Sequence, residues 1–175
     1  RGHSSATFQK KQYKLETWNE FDQDESASLL GLPAESDWVL YAPYEYDRAL
    51  VRNPLIYELS NQMGRYAVRT RFVEVSLNTQ GGDVSSQDYQ GVYVLMEKIK
   101  RGPDRVDIEQ LEPHHENEPE ITGGWILKID PLDPGDRGFR VAGQSRTVCY
   151  VDPKEVEVTG TQARWIRDYF NEMYA

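Results

Sequence analysis

The sequence predicts an α+β protein with a mainly antiparallel sheet and a few helices. Residues 69–77 alternate apolar and polar side chains, as in a half-buried strand. Gly81-Gly82-Asp83 is typical of a hairpin connection, and residues 92–96 are continuously apolar, as in a strand covered on both faces. A helix, a strand, a hairpin and a second strand in this order favour antiparallel pairing.

The N-terminal half contains three further predicted elements. Residues 8–18 alternate as a strand does, and residues 38–41 form a short apolar run that predicts a buried strand. A helical region begins near Asp47, with Asn53 as a candidate cap and Pro54 at the first helical position. Its apolar stripe ends before Gly64, a suitable C-terminal stop, and consists of Leu55, Ile56, Leu59 and Met63.

The C-terminal part predicts short strands, loops and one final helix. Residues 125–129, 148–151 and 156–158 are candidate strands, while residues 112–120 and 130–138 have the Pro-, Gly- and acid-rich composition of loops. Thr161 is a candidate cap for the helix. Its apolar face calls for a packing partner and consists of Ile166, Tyr169, Phe170 and Met173.

Composition and charge exclude several classes of protein. A chain of 175 residues with 38% hydrophobic residues is long enough for a folded core. The formal net charge of −9 argues against non-specific nucleic-acid binding, which needs a basic surface. No apolar stretch is long enough for a membrane span. Cys149 is the only cysteine, so no internal disulfide can form. The sequence does not indicate an oligomeric state.

The first eleven residues contain a candidate phosphate-binding segment. A glycine permits close backbone approach to an anion, and hydroxyls and N–H groups then bind its oxygens. An inward-facing lysine on the next strand neutralises charge, and alternation with Tyr13 and Leu15 turns Lys11 inward and Lys10 away. The alternative is an ordinary turn followed by lysines on an edge strand. The candidate binding residues are Arg1, Gly2, Ser4, Ser5 and Lys11.

A buried lysine needs a carboxylate partner, and two residues are candidates. Glu58 lies on the predicted helix but beside its apolar stripe, and the alternative is a solvated side chain. Glu97 ends the apolar strand, where a carboxylate is suited to a functional role. Its alternative is a strand-end salt bridge with Lys98 or Arg101.

Other reactive residues favour structural interpretations. His114-His115 has no second cluster at metal-ligand spacing, so a solvated loop is preferred. Cys149 is interpreted as a buried strand residue, with a Cys-His nucleophile as the minor alternative. Asp130, Asp133 and Asp136 are separated by prolines, which favours a turn-rich loop over a calcium site.

Several blocks of the chain, in order from Arg1 to about Asp130, resemble the CotH family of spore-coat atypical protein kinases. The matching blocks are Arg-Gly-x-Ser-Ser-x-x-Phe-x-Lys-Lys-x-Tyr-Lys-Leu (1–15), Leu-Leu-Gly-Leu-Pro-x-x-Ser-Asp-Trp-Val-Leu (29–40), Asp47-Arg48 with Arg52-Asn53, Arg-Phe-Val-Glu-Val (71–75), Tyr-x-Gly-Val-Tyr-x-x-x-Glu-Lys-Ile (89–99) and Thr-Gly-Gly-Trp-Ile-Leu (122–127). One minor departure is Gln9, where the family often has proline.

The resemblance implies a fold like the small lobe of an atypical protein kinase. It also implies that residues 1–175 form a single domain, the N-terminal part of a longer kinase-like domain. Residues 1–130 are the most family-like, and residues 161–175 form a helix that leads into the rest. The family's catalytic and metal-binding aspartates, including a Trp-Asp-x-Asp segment, have no match, because Asp37-Trp38 is in reverse order.

Two functional hypotheses follow from the resemblance. In the first, the complete protein transfers phosphate from ATP, with Mg or Mn, to Ser or Thr of a surface or spore-coat protein. Lys11 then binds the phosphates and Glu97 or Glu58 orients it, while the 175-residue chain alone is expected to be inactive. In the second, the same fold is a non-catalytic surface or adhesion module. Either implies an extracellular, cell-surface or spore-surface location.

Overall fold

The structure is a computed structural model that describes residues 7–42, 44–130, 132, 137–145 and 147–175. The chain forms two compact units, one that ends at Ile99 and one that begins at Lys100. Each unit contains an antiparallel sheet and one α-helix. The prediction of an α+β protein with mainly antiparallel strands is therefore confirmed. The prediction of a single domain stays a prediction.

The first unit is built on a four-stranded sheet. Its elements in chain order are β1 (Tyr13–Glu16), β2 (Asp37–Tyr41), α1 (Arg52–Gln62), β3 (Thr70–Ser76) and β4 (Tyr89–Glu97). The strand order is β1-β2-β4-β3, and every neighbouring pair is antiparallel. The predicted hairpin joins β3 to β4 through a connection that contains Gly81 and Gly82, both with positive φ.

From Tyr93 to its end, strand β4 is buried on both faces, as most of its apolar run predicts. Successive side chains of a strand point to opposite faces of the sheet. On one face Val94 and Met96 pack with Leu50, Val68 and Tyr57 of α1. On the other face Leu95 packs with the fully buried Trp38 and with Leu32. Two hydrophobic clusters therefore share one central strand.

Helix α1 begins and packs differently from the prediction. It begins at Arg52, whose backbone N–H donates to the Asp47 carboxylate at 2.7 Å, so Asp47 rather than Asn53 supplies the cap. Gly64 ends the helix with φ +73° and an N–H bond to the Asn61 carbonyl, which confirms the predicted stop. The apolar stripe does not face the sheet, because its four members are all exposed: Leu55, Ile56, Leu59 and Met63.

The second unit contains a three-stranded sheet and a longer helix. Its elements in chain order are β5 (Ile126–Ile129), β6 (Gly138–Arg140), β7 (Thr147–Asp152) and α2 (Gly160–Met173), with strand order β5-β7-β6. A Cβ at Gly138 would lie 2.3 Å from the Val148 carbonyl oxygen, so only glycine permits this close pairing. The core includes Leu111, Ile121, Val141, Val148 and Ile166.

Some predicted strand boundaries were wrong. Residues 8–12 precede β1 rather than belonging to it, and residues 156–158 form no strand. Strand β6 was missed, since it is only three residues long and follows a loop-like composition. Local alternation does not decide whether a partner strand is within reach, and pairing is what makes a strand.

Helix α2 is capped and anchored by a buried amide. Thr159 and Gln162 form a capping box, so the cap lies two residues before the predicted Thr161. Gln162 is fully buried, and its Nε2 donates to the carbonyl oxygens of Glu112 at 2.8 Å and His115 at 3.0 Å. One side chain thus caps the helix and fixes the preceding loop against it.

The predicted apolar face of α2 is only partly buried. Ile166 is buried, and the Phe170 ring lies 5.6 Å from the ring of Phe139 on β6. Tyr169 and Met173 are exposed. In the part of the chain that the structure describes, neither helix is long and apolar enough to cross a bilayer.

We expect Gln162→Leu to lower the free energy of unfolding by about 3 kcal/mol, because the substitution leaves buried carbonyl and N–H groups without partners. Urea unfolding followed by tryptophan fluorescence measures the change. Gln144→Leu is the matched control, since Gln144 is exposed in the same unit. Equal stability of the two variants would contradict the anchoring role.

Candidate functional site

The predicted site residues fall into two groups. Arg1, Gly2, Ser4 and Ser5 lie outside the described residues. The other three, Lys11, Glu58 and Glu97, are described and belong to the first unit. The geometry around these three residues defines what the described part of the site can do.

The Lys10 side chain is directed toward the sheet. Its Nζ donates to the Val92 carbonyl oxygen at 2.6 Å and lies 4.5 Å from the centre of the Tyr93 ring. The prediction that Lys10 points away is therefore wrong. Because β1 begins only at Tyr13, the two-residue alternation does not extend back to the lysine pair. Lys11 is half-buried.

The Lys10 ammonium lies in a lysine cradle formed by Gly91, Val92 and Tyr93. The Tyr13 and Tyr93 rings lie 6.4 Å apart on the same face of the sheet. Gly91 has φ +86°, and a Cβ there would lie 3.3 Å from the Lys10 Nζ. The absence of a side chain at Gly91 thus leaves space for the ammonium over the Tyr93 ring, a favourable cation–π arrangement.

Among the described residues, no acid neutralises the charge of Lys10. Burial lowers the pKa of the Lys10 ammonium, and within the described residues no carboxylate pairs with it. Burial also raises the pKa of the Tyr93 hydroxyl. An ammonium has three N–H donors, and Val92 accepts one of them. A partly buried cation with N–H groups left over is suited to bind an anion.

Glu97 is held by an arginine rather than a lysine. Its side chain is completely buried, and one oxygen accepts from the Nε and Nη2 of Arg69, both at 2.8 Å. The other oxygen accepts from the Arg69 backbone N–H at 3.0 Å and from the Tyr66 hydroxyl at 3.1 Å. These bonds join the end of β4 to the segment that enters β3.

The two cations predicted to pair with Glu97 form salt bridges with other acids. Lys98 pairs with Asp37 at 2.9 Å, and Arg101 pairs with Asp152 at 3.1 Å. A strand-end ion pair is thus present, but its cation is Arg69, 28 positions before Glu97 in the chain. The sequence did not predict this partner, because nothing in the residues around Arg69 distinguishes it from the other lysines and arginines of the chain.

The contact given for the Glu58 side chain lies within helix α1. Its side chain is exposed and accepts from the Gln62 amide at 2.8 Å, one helical turn further along α1. This geometry agrees with the solvated alternative. The contacts given above for Glu58 and Glu97 are with Gln62, Arg69 and Tyr66.

The other reactive residues have structural environments. The His115 Nδ1 accepts from the Glu112 backbone N–H at 3.2 Å, and Cys149 is buried beside the Asp130 carbonyl. Among the described residues, no group of three or more His, Cys, Asp or Glu side chains is placed to hold a metal ion. Asp133 and Asp136 lie outside the described residues.

Comparison with known proteins identifies the family. The model of the family described as CotH kinase protein matches residues 1–172. The chain belongs to the CotH family. No curated protein and no solved structure matches the chain. The resemblance inferred from the sequence blocks is therefore confirmed over nearly the whole chain.

Sequence reasoning missed the lysine cradle of this CotH-family chain. Gly91 and Tyr93 belong to one of the family-like blocks, but their role required knowledge of which lysine reaches them. Gly91 could have indicated the cradle, because a glycine inside a strand often marks a place where another group approaches the backbone closely. The approaching group here is the Lys10 ammonium.

We expect Glu97→Gln to lower the free energy of unfolding by about 2–3 kcal/mol, because Arg69 loses its buried counter-charge. Glu58→Gln makes the same chemical change at an exposed helix position and should shift stability by less than about 0.5 kcal/mol. Thermal and urea unfolding of both variants measures the difference. If Glu97→Gln is as stable as the parent chain, Glu97 is not the anchor of β4.

We expect Gly91→Ala to displace the Lys10 ammonium and to raise its pKa toward the value of a solvated lysine. The fold disfavours the protonated form of Lys10, so the free energy of unfolding should rise with pH between the lowered pKa and the ordinary value of 10.5. Lys10→Met should abolish that rise. NMR titration of the Lys10 side-chain carbons measures the pKa directly.

Gly81→Ala is the matched control for Gly91→Ala. Gly81 has a similar φ of +81°, but a Cβ there meets no atom within 4 Å. Both variants carry a strain of about 1 kcal/mol from a left-handed backbone. Only Gly91→Ala should move the Lys10 pKa, and an equal shift in both variants would rule out the direct contact.

Proposed function

We propose that this CotH-family chain is the nucleotide-binding part of a protein kinase. The complete protein would transfer phosphate from ATP to Ser or Thr of surface or spore-coat proteins. The observation that carries the proposal is Lys10, a partly buried cation with no carboxylate partner among the described residues. The family match over residues 1–172 supports the same reaction class.

The lysine cradle fits a phosphate anion. Phosphoryl transfer depends mainly on positioning and on neutralising the phosphate charge. Lys10 offers N–H donors while the Val92 carbonyl and the Tyr93 ring hold it in place. Lys11 supplies a second positive charge nearby in the chain. In this proposal, further N–H and hydroxyl donors to the phosphate come from Gly2, Ser4 and Ser5, the phosphate-binding role that the sequence predicts for them.

The buried acid has a supporting role in this arrangement. Because both oxygens of Glu97 are occupied by Arg69 and Tyr66, the carboxylate keeps β4 in register with β3. Val92 and Tyr93, which contact Lys10, lie on the same strand a few residues before Glu97. Glu97 thus stabilises the strand on which the cradle is built. A divalent cation, when bound with the nucleotide, supplies further charge neutralisation, and no described residue is assigned to it.

A second candidate function is a non-catalytic interaction module. The observation that favours it is the exposed apolar surface of α1, with Ile56 58% and Met63 79% exposed. Exposed apolar patches on soluble proteins often bind partners. This function requires no nucleotide, so nucleotide binding separates the two candidates.

We expect ATP with Mg to raise the melting temperature of the complete protein. At a hundred times its dissociation constant, a ligand stabilises the folded state by about 2.7 kcal/mol. Lys10→Ala and Lys11→Ala should each reduce the shift, and Lys10→Ala should reduce it more because Lys10 lies in the cradle. Lys14→Ala, an exposed lysine on β1, is the control.

The absence of a shift in melting temperature would contradict the proposal. A complete protein that is folded but shows no shift with ATP, with Mg or with Mn favours the interaction module. Transfer of labelled phosphate to an acceptor protein then tests the catalytic step separately. Transfer that survives Lys10→Ala unchanged would remove Lys10 from the phosphate site.

A further inference from the structure

The second unit contains an aromatic groove between the start of β5 and α2. Its volume is about 460 Å³, within the usual range for ligand-binding clefts. Four aromatic side chains dominate its lining: Trp125, Trp165, Tyr169 and Phe170. Neither the family assignment nor the proposed nucleotide site uses this groove.

The groove is held in shape before any ligand binds. The Trp125 indole donates to the Ile121 carbonyl at 2.9 Å, which fixes the ring beside β5. The Trp165 and Tyr169 rings are nearly parallel, at 11° and 5.5 Å between centres, one helical turn apart on α2. The capping box and the buried Gln162 fix the start of the helix. A preformed groove loses little conformational entropy on binding.

Two hydrogen-bond donors on the groove have no acceptor within the described protein. Among the described residues, neither the Trp165 indole N–H nor the Tyr169 hydroxyl donates to an acceptor, and the contacts given for these two side chains are with other rings. Tyr169 is 52% exposed. A ligand that lies along the rings and presents hydrogen-bond acceptors would satisfy both donors.

Acidic side chains lie in and beside the groove. Glu118 lines it, and a pocket of about 290 Å³ that shares Thr122 is lined by Glu109 and Glu120. The segment 107–120 contains six acidic residues and no lysine or arginine. A ligand with positive charge near Glu118 is therefore favoured electrostatically.

We propose that the aromatic groove binds an extended proline-rich segment of a partner protein, with a basic residue next to the prolines. A polyproline II segment has no internal hydrogen bonds, so its carbonyl groups are available to the Trp165 and Tyr169 donors. Its proline rings pack against aromatic faces, which is how aromatic-lined grooves recognise such segments. The basic residue lies toward Glu118. This binding does not depend on nucleotide.

The test uses a fluorescent peptide of ten prolines followed by two arginines, titrated with the 175-residue chain. The control peptide replaces the prolines with five Gly-Ser pairs and keeps both arginines. Fluorescence anisotropy should show at least tenfold tighter binding of the proline peptide. Equal binding of the two peptides would mean that only the arginines are recognised, and it would overturn the proposal. The proposal is also overturned if neither peptide binds.

Variants of Tyr169 test whether the proline peptide binds in the groove. Tyr169→Phe keeps the ring and removes the hydroxyl, so it should weaken the proline peptide several-fold, and Tyr169→Ala should weaken it at least tenfold. Tyr169 is exposed enough for both variants to fold. Phe21→Ala removes an aromatic ring that is 72% exposed in the first unit and should leave binding unchanged. Loss of binding in Phe21→Ala, or full binding in Tyr169→Ala, would overturn the assignment.

Discussion

The burial of β4 on both faces constrains the whole first unit. A strand with two covered faces needs an apolar cluster on each side, and the clusters around Val94 and Leu95 provide them. Its last residue is a carboxylate, which is costly to bury without partners. The four hydrogen bonds from Arg69 and Tyr66 offset that cost and set the register of β3 against β4. The lysine cradle is built on the middle of the same strand.

The lysine cradle and the aromatic groove differ in the interaction that shapes them. In the cradle, a cation is partly desolvated beside a carbonyl and an aromatic ring, which leaves it ready for an anion. In the groove, stacked rings and two donors without described acceptors suit an extended, uncharged backbone. The cradle belongs to the unit that ends at Ile99 and the groove to the unit that begins at Lys100. Under the proposals made above, the cradle would serve nucleotide binding and the groove would serve recognition of a polypeptide.

Local patterns predicted the elements with strong periodicity and missed those that depend on distant partners. The apolar run of β4, the alternation of β3 and the stop at Gly64 were sufficient because neighbouring residues decide them. Strand β6 was missed, since a three-residue strand exists only through its pairing with β7. The cap of α1 came from Asp47, five positions before Arg52, where turn geometry rather than spacing sets the contact.

The sequence by itself determined the family, the α+β class, a lysine pair before the first strand and an acid at the end of the central apolar strand. Family blocks and binary patterns are local, so one chain suffices to recognise them. Only the tertiary structure decided that Lys10 reaches the Tyr93 ring and that Arg69 is the partner of Glu97. Both contacts join residues 28 or more positions apart, and strand register, which local sequence does not specify, brings them together.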